Sequence, residues 1–204
     1  MNRVPAGRPS VAVATLYQTY LVTRHTGRAV RLTIERMVEE ASGPSLTVID
    51  FSDVAVIDFS CADEVVARLL YDTLSRPGPP TPHYFVLDGL EDEHIDPVSS
   101  ALDRRGLAMS ARTARRDPVL LGRAEPEAQA VWRALTDRGR ARAPELAGCL
   151  RGDAEACRRW LVRLEDRRLL RSTGEVYESL FLALGEGDAS DPGPLDPGPE
   201  GEAG

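Results

Sequence analysis

The 204-residue chain contains no lysine, so its positive charge is carried by arginine alone. This matches a GC-rich coding bias and assigns no function. Aromatic residues make up only 5% of the chain, too few for a stacking platform for single-stranded nucleic acid. The three cysteines, Cys61, Cys149 and Cys157, show no CxxC spacing, and their odd number argues against a disulfide framework or a zinc site. His25, His83 and His94 are scattered without ligand spacing. There is no glycine-rich phosphate loop and no metal motif. No nucleophile, base and orienting group are spaced as a catalytic set, so no enzyme, cofactor or metal is expected. MNRVPAGRPS has no apolar stretch behind its basic residues, and no run approaches the length of a membrane helix. A soluble, cytoplasmic protein without a membrane partner is the expectation.

The formal net charge is −7, which argues against a whole-surface nucleic-acid binder. The acid is uneven, however. The last twenty residues carry six acidic groups and no basic one, and the remainder is close to neutral. Rich in proline, glycine and acid, residues 185–204 read as a disordered tail. Residues 1–10 read as a flexible lead-in.

Between these ends the pattern changes once, near residue 123. Residues 11–122 alternate strand and helix signals, as in an α/β layer with a small sheet. VAVATLYQTYLVT (11–23) suits a strand or hairpin arm. Thr26 is a candidate N-cap for a helix with Val30, Ile34, Met37 and Val38 on one face, stopped by Ser42-Gly43-Pro44. SLTVIDF (45–51) is a nearly continuous apolar run, as for a central strand. VAVID (54–58) follows, and then Ser60 heads a helix over about 61–75 with Val65, Val66, Leu69, Leu70 and Leu74 inward. Asp63 completes a Ser-x-x-acid pattern close to a capping box. HYFVLDG (83–89) is a further strand. A helix over 93–105 follows, with Gly106 as its stop, and LAMSA and PVLLG are weaker strands.

Residues 123–184 read as mostly helical. Helices are expected over about 125–138, with Ala130, Val131, Ala134 and Leu135 apolar, and over 143–150. Asp153 caps a third, 154–168. LLRSTGEVYESLFLAL then reads as two β arms around Ser172-Thr173-Gly174. Helix, short helix, turn, longer helix and hairpin is the order of a winged helix-turn-helix.

Three motifs carry a resemblance in the first segment. They are Thr26-Gly27-Arg28-Ala29-Val30 at a helix start, Val48-Ile49-Asp50-Phe51-Ser52-Asp53-Val54 as strand and turn, and Ile57-Asp58-Phe59-Ser60-Cys61-Ala62-Asp63-Glu64 at a strand-helix junction. Together, over about residues 15–74, they resemble the STAS-like domains, relatives of the anti-sigma-factor antagonists. In that family the junction reads Asp-Ser-Ser-Gly, and its second serine is phosphorylated by a partner kinase that doubles as the anti-sigma factor. By position that serine is Ser60, beside Asp58. Phe59 stands in place of the first serine and Cys61 in place of the glycine. The resemblance implies a non-enzymatic regulatory module with a protein partner, a kinase-like ATPase among the candidates. Residues 125–184 resemble a winged helix in shape alone.

The candidate site residues follow. Ser60 is a helix cap, a phosphate or partner-contact site, or both; Asp63 and Glu64 one turn away would repel a phosphate. Asp58, Asp63 and Glu64 could form an acidic metal or acid-base cluster, yet acids at a helix start complement its dipole without further function. Cys61 at a helix start could be a lowered-pKa thiol. Asp50 and Asp88 end strands and read mainly as turn caps. Thr23, Arg24, Thr26, Gly27 and Arg28 gather hydroxyls and guanidinium groups where an anion could sit. In the third helix, Arg158, Arg159 and Arg163 are candidates for DNA contact, with Arg142 and Arg171 as added phosphate contacts. Glu155, Glu165 and Asp166 dilute that patch, and winged helices also dock proteins. A transcription factor with an oligomerising N-terminal domain, or an adaptor in a multi-protein cassette, are the alternative functions.

Overall fold

The computed structural model describes residues 9–75 and 81–185. It is an α/β structure built on a mixed five-stranded sheet. β1 (Ser10–Thr15), β3 (Ser45–Asp50), β5 (His83–Leu90), β6 (Ala108–Thr113) and β7 (Pro118–Gly122) lie side by side in that order. The first four are parallel and β7 is antiparallel to β6. Each new strand is added on the same side of the last. Right-handed crossovers therefore put α1 (Arg24–Glu39), the helical run 59–75 and α4 (Asp92–Arg104) on one face of the sheet.

That face carries Ile49, Phe51, Phe85, Leu87, Met109 and Ala111, packed against Ile34, Val38, Val65, Val66, Leu69, Val98 and Leu102. The alternate residues Leu46, Tyr84, Val86 and Ala108 face the other way. They form a second core with α5 (Pro126–Arg138), α6 (Ala143–Leu150) and α7 (Ala154–Asp166). A sheet covered on both faces needs apolar residues at successive positions, which is why SLTVIDF and HYFVLD read as unbroken apolar runs. The cover stops short of the edge strand. Val11 and Val13, in register with Leu46 and Val48, remain 45% and 56% exposed.

The C-terminal elements follow as α5, β8 (Arg140–Arg142), α6, α7, β9 (Leu170–Thr173) and β10 (Val176–Ser179). The three strands make a small antiparallel sheet in the order β8-β10-β9. β8 is too short to be signalled by periodicity. LFLAL, read as part of a β arm, is a 3-10 turn over Leu180–Leu184, started by the Ser179 hydroxyl accepting from the Phe181 N–H. Ala130 points outward, and Ala128 and Trp132 take the inward places in α5.

Three other expectations are corrected. The 11–23 segment is two strands, β1 and the short β2 (Tyr20–Leu21), which pairs with β4 (Val56–Ile57). The cap of α1 is Thr23, whose Oγ1 accepts from the Thr26 N–H at 3.1 Å, so the helix begins earlier than Thr26 implies. The third concerns Ser60 and is taken up below. Ser10, placed in the lead-in, already belongs to β1; the rest of the lead-in except Pro9, and the tail beyond Gly185, lie outside the described residues.

Candidate functional site

The strand-helix junction is built around Asp58, not Ser60. Asp58 is the N-cap of α2 (Phe59–Ala62), and its Oδ1 accepts from the Cys61 N–H at 2.8 Å and from the Ser60 hydroxyl at 2.9 Å. A carboxylate reaches the free amides of a helix start as well as a hydroxyl does and adds the favourable charge. Ser60 therefore sits inside the first turn, half-buried, and Asp63 does not close a capping box onto it. The helix continues as a π turn, Asp63–Arg68, and then as α3 (Leu69–Ser75). Lying between α1 and α4 on top of the sheet, its first half is covered on all sides, and every residue from Cys61 to Ala67 is buried.

Gly27 makes that fit at α1. A Cβ there would stand 3.0 Å from the Cys61 Cα and 3.2 Å from the Glu64 Cβ. The close approach also brings the Cys61 thiol to the Thr23 carbonyl oxygen, which accepts its proton at 2.8 Å. Burial, with the Asp58 charge second, pushes the Cys61 thiol above its ordinary range. It is a buried, protonated packing residue, not an activated nucleophile.

Asp63 and Glu64 are buried charges, and four arginines meet them: two from α1, one from the end of α4 and one from the π turn itself. Asp63 faces α4: Arg105 donates to it twice, at 2.9 and 3.1 Å, and Arg24 once, at 3.2 Å. Glu64 faces α1: Arg24 lies at 2.8 Å, Arg31 at 3.3 Å and Arg68 at 3.4 Å. Arg31 is itself shared with Glu35 and Asp72. For Asp63, burial acts to raise the pKa, but the hydrogen bonds from Arg105 and Arg24 outweigh it, and the carboxyl is held below its usual range. Glu64 behaves alike: burial opposes ionisation, and Arg24, Arg68 and Arg31 together overcome it. Both acids are thus neutralised in place, so their expected repulsion toward a phosphate on Ser60 is largely cancelled.

The remaining carboxylates play local roles. Asp50 Oδ1 accepts from the Ser52 N–H and hydroxyl at 2.9 and 2.6 Å, tying the turn after β3. Its register partner Asp88 is clamped by Arg112 at 3.0 and 2.6 Å. Next to it Gly89 has φ +71°, and a Cβ there would stand 2.5 Å from the Ser52 Oγ. Among the described residues, no group of three or more His, Cys, Asp or Glu is placed to hold a metal ion, and no helix is long and apolar enough to cross a membrane.

The arginine candidates of the C-terminal unit separate into two groups. α7 starts at Asp153, whose Oδ2 accepts from the Ala156 N–H at 2.7 Å, and buries Cys157, Leu161 and Leu164. Arg158, Arg159 and Arg163 are exposed on the same helix. Arg158 and Arg159 form no ion pair among the described residues, whereas Arg163 stacks 4.8 Å over the half-buried Trp160 ring. Arg142 is exposed at the end of β8, ahead of α6, and its backbone N–H donates to Glu145. Arg171 is different: it is largely buried and ion-paired with Glu178, its cross-strand partner.

No protein-family model matches the chain, and no curated protein matches it either. The class defined by the fold is an α/β protein with a mixed five-stranded sheet.

Proposed function

We propose that the chain is a non-enzymatic regulatory protein in which a STAS-like module, of the kind found in anti-sigma-factor antagonists, is fused to a winged helix. Residues 11–122 form the first and residues 123–184 the second. The observation that carries this reading is the C-terminal order of helix, strand, helix, helix, strand, strand, with sheet order β8-β10-β9. That order is the one a winged helix requires, with α7 as the helix presented to a groove and β9-β10 as the wing. The first module is supported by the parallel β1-β3-β5-β6 sheet with its helices on one face, and by a strand-turn-helix junction at Ser60.

On this reading Ser60 is where a protein partner acts, a kinase-like ATPase being the candidate. A phosphate there lies on the first turn of a helix, where free amides and the dipole favour it. Asp58 already occupies one of those amides, so phosphorylation displaces or repels the Asp58 carboxylate and loosens the junction. The central sheet then offers a physical route from junction to α7: β3, β5 and β6 turn one face to the core that holds Cys61 and Ala62 and the other to the core that holds Leu161 and Leu164 of α7.

The alternative is that the α7 face docks a protein, as in an adaptor subunit of a multi-protein cassette. Its support is the thinness of the arginine face once Arg163 stacks on Trp160 and Arg171 pairs with Glu178.

Phosphopeptide mapping after native expression tests the first module. A peptide spanning residues 59–68 that carries one phosphate on Ser60, lost in Ser60→Ala, is expected. A peptide unmodified in the presence of the co-purified partner kinase removes the phosphorylation arm of the proposal.

A further inference from the structure

The anion-holding group suggested by residues 23–28 is only partly assembled in the fold. Arg24 alone of that group faces a cleft, together with Asp63, Arg104 and Arg105. The cleft has a volume of about 290 Å³ and lies between the start of α1, the π turn and the end of α4. Three guanidinium groups there meet one carboxylate. Asp63 is satisfied by Arg105 and Arg24, and Glu64, which also holds Arg24, has Arg31 and Arg68 as further partners.

The donors left over are well placed. Arg24 uses only its Nη1 on the two carboxylates, its side chain is 55% exposed, and its Nε and Nη2 have no partner among the described residues. Arg104 is exposed, forms no ion pair among the described residues, and is steadied by stacking 5.8 Å over the Phe59 ring. Arg105 is held by its two bonds to Asp63 and lies 5.8 Å over Tyr71, which leaves its Nη1. The first turn of α1 carries no acid, so its dipole adds positive potential. The opposing C-terminal carbonyls of α4 are partly occupied: Leu102 accepts from the Arg105 and Leu107 N–H groups and Asp103 from that of Gly106.

We infer that this cleft binds a phosphate monoester or inorganic phosphate, gripped by Arg24 and Arg104 with Arg105 behind. Guanidinium groups recognise phosphate oxygens with paired, charge-assisted hydrogen bonds. Arginines already fixed by stacking and by Asp63 lose little freedom on binding. The volume sits at the lower edge of small-ligand sites, about 300–1,000 Å³, which fits a phosphate with a small substituent and excludes a dinucleotide. The assignment holds whether or not Ser60 is itself modified.

Isothermal titration of the full chain with inorganic phosphate and with phosphoserine, against chloride at equal ionic strength, tests it. Saturable one-to-one binding of at least one probe is expected. Arg104→Ala is expected to weaken it about tenfold or more. The same variant should melt like the parent without phosphate, because Arg104 is exposed and outside the buried network. Tighter binding of phosphoserine would assign the site to a phosphorylated side chain, and equal binding to free phosphate. Absence of saturable heat with both probes, or equal affinities for the parent and Arg104→Ala, overturns the inference.

Discussion

Glu64→Ala is expected to destabilise the protein by about 3–5 kcal/mol, the range for removing one partner from a buried ion-pair network. The Glu64 side chain is 3% exposed and neutralises Arg24, Arg31 and Arg68 together. Arg31, 7% exposed, keeps Glu35 and Asp72, which places the loss toward the lower end of that range. For a chain of this size, 3 kcal/mol lowers the melting temperature by roughly 6–12 °C. The same network sets the acid limit of stability. Asp63 and Glu64 have folded-state pKa values below their unfolded ones, so their contribution is complete at neutral pH. It drains away as pH falls below the unfolded carboxylate range of about 3.9–4.3 and through the lower folded values. Urea midpoints measured from neutral pH down to about pH 3 should therefore fall more steeply for the parent than for Glu64→Ala. Parallel pH profiles would show that Glu64 is not part of the acid-sensitive set.

Trp132→Ala is expected to cost about 3–5 kcal/mol and to destabilise both parts of the chain together. Trp132 is 3% exposed and packs edge-on against Phe181, with ring centroids 6.3 Å apart. Its Nε1–H donates to the Ser110 hydroxyl at 3.1 Å, and that hydroxyl donates on to the Leu169 carbonyl at 3.4 Å. One side chain of α5 thus touches the central sheet, and through Ser110 it reaches the segment leading into β9. Removing it leaves a cavity between the sheet and the C-terminal helices, and the Ser110 hydroxyl loses its donor while keeping its bond to Leu169. Calorimetry should show a single transition in the parent and in the variant, shifted as a whole. Two transitions, with only one displaced by the substitution, would mean that the units fold independently.

Much of this fold is legible in the sequence. The apolar runs at 45–51 and 83–89 mark strands buried on both faces, and Asp153 marks the start of α7. Element type follows from such local patterns because propensity and burial agree there. The helix caps were harder to read. Thr23 and Thr26, or Asp58 and Ser60, are equally good capping residues two or three positions apart, and only the path of the preceding strand decides between them. β8 has three residues and no periodicity, and is specified by its pairing with β10.

The site was less legible. Arg68 with Glu64, and Arg31 with Glu35, are four apart on a helix and so can be read locally. Arg105 with Asp63 and Arg24 with Glu64 are about forty residues apart, and no local rule joins them. Asp63 and Glu64, read alone, are acids at a helix start that complement its dipole. Their burial follows from the packing of α1 and α4 on either side, with Gly27 permitting the approach.

The salt dependence of DNA binding tests most directly the proposal that the α7 face of a regulatory chain meets DNA. Fluorescence anisotropy of a labelled duplex, titrated with the full chain across a series of salt concentrations, gives the slope of log affinity against log salt. The account predicts measurable binding at low salt for the parent. It also predicts a slope shallower by about two for Arg158→Ala/Arg159→Ala, one for each lost phosphate contact. No binding to any duplex at low salt, or the same slope in the parent and the double variant, would contradict it.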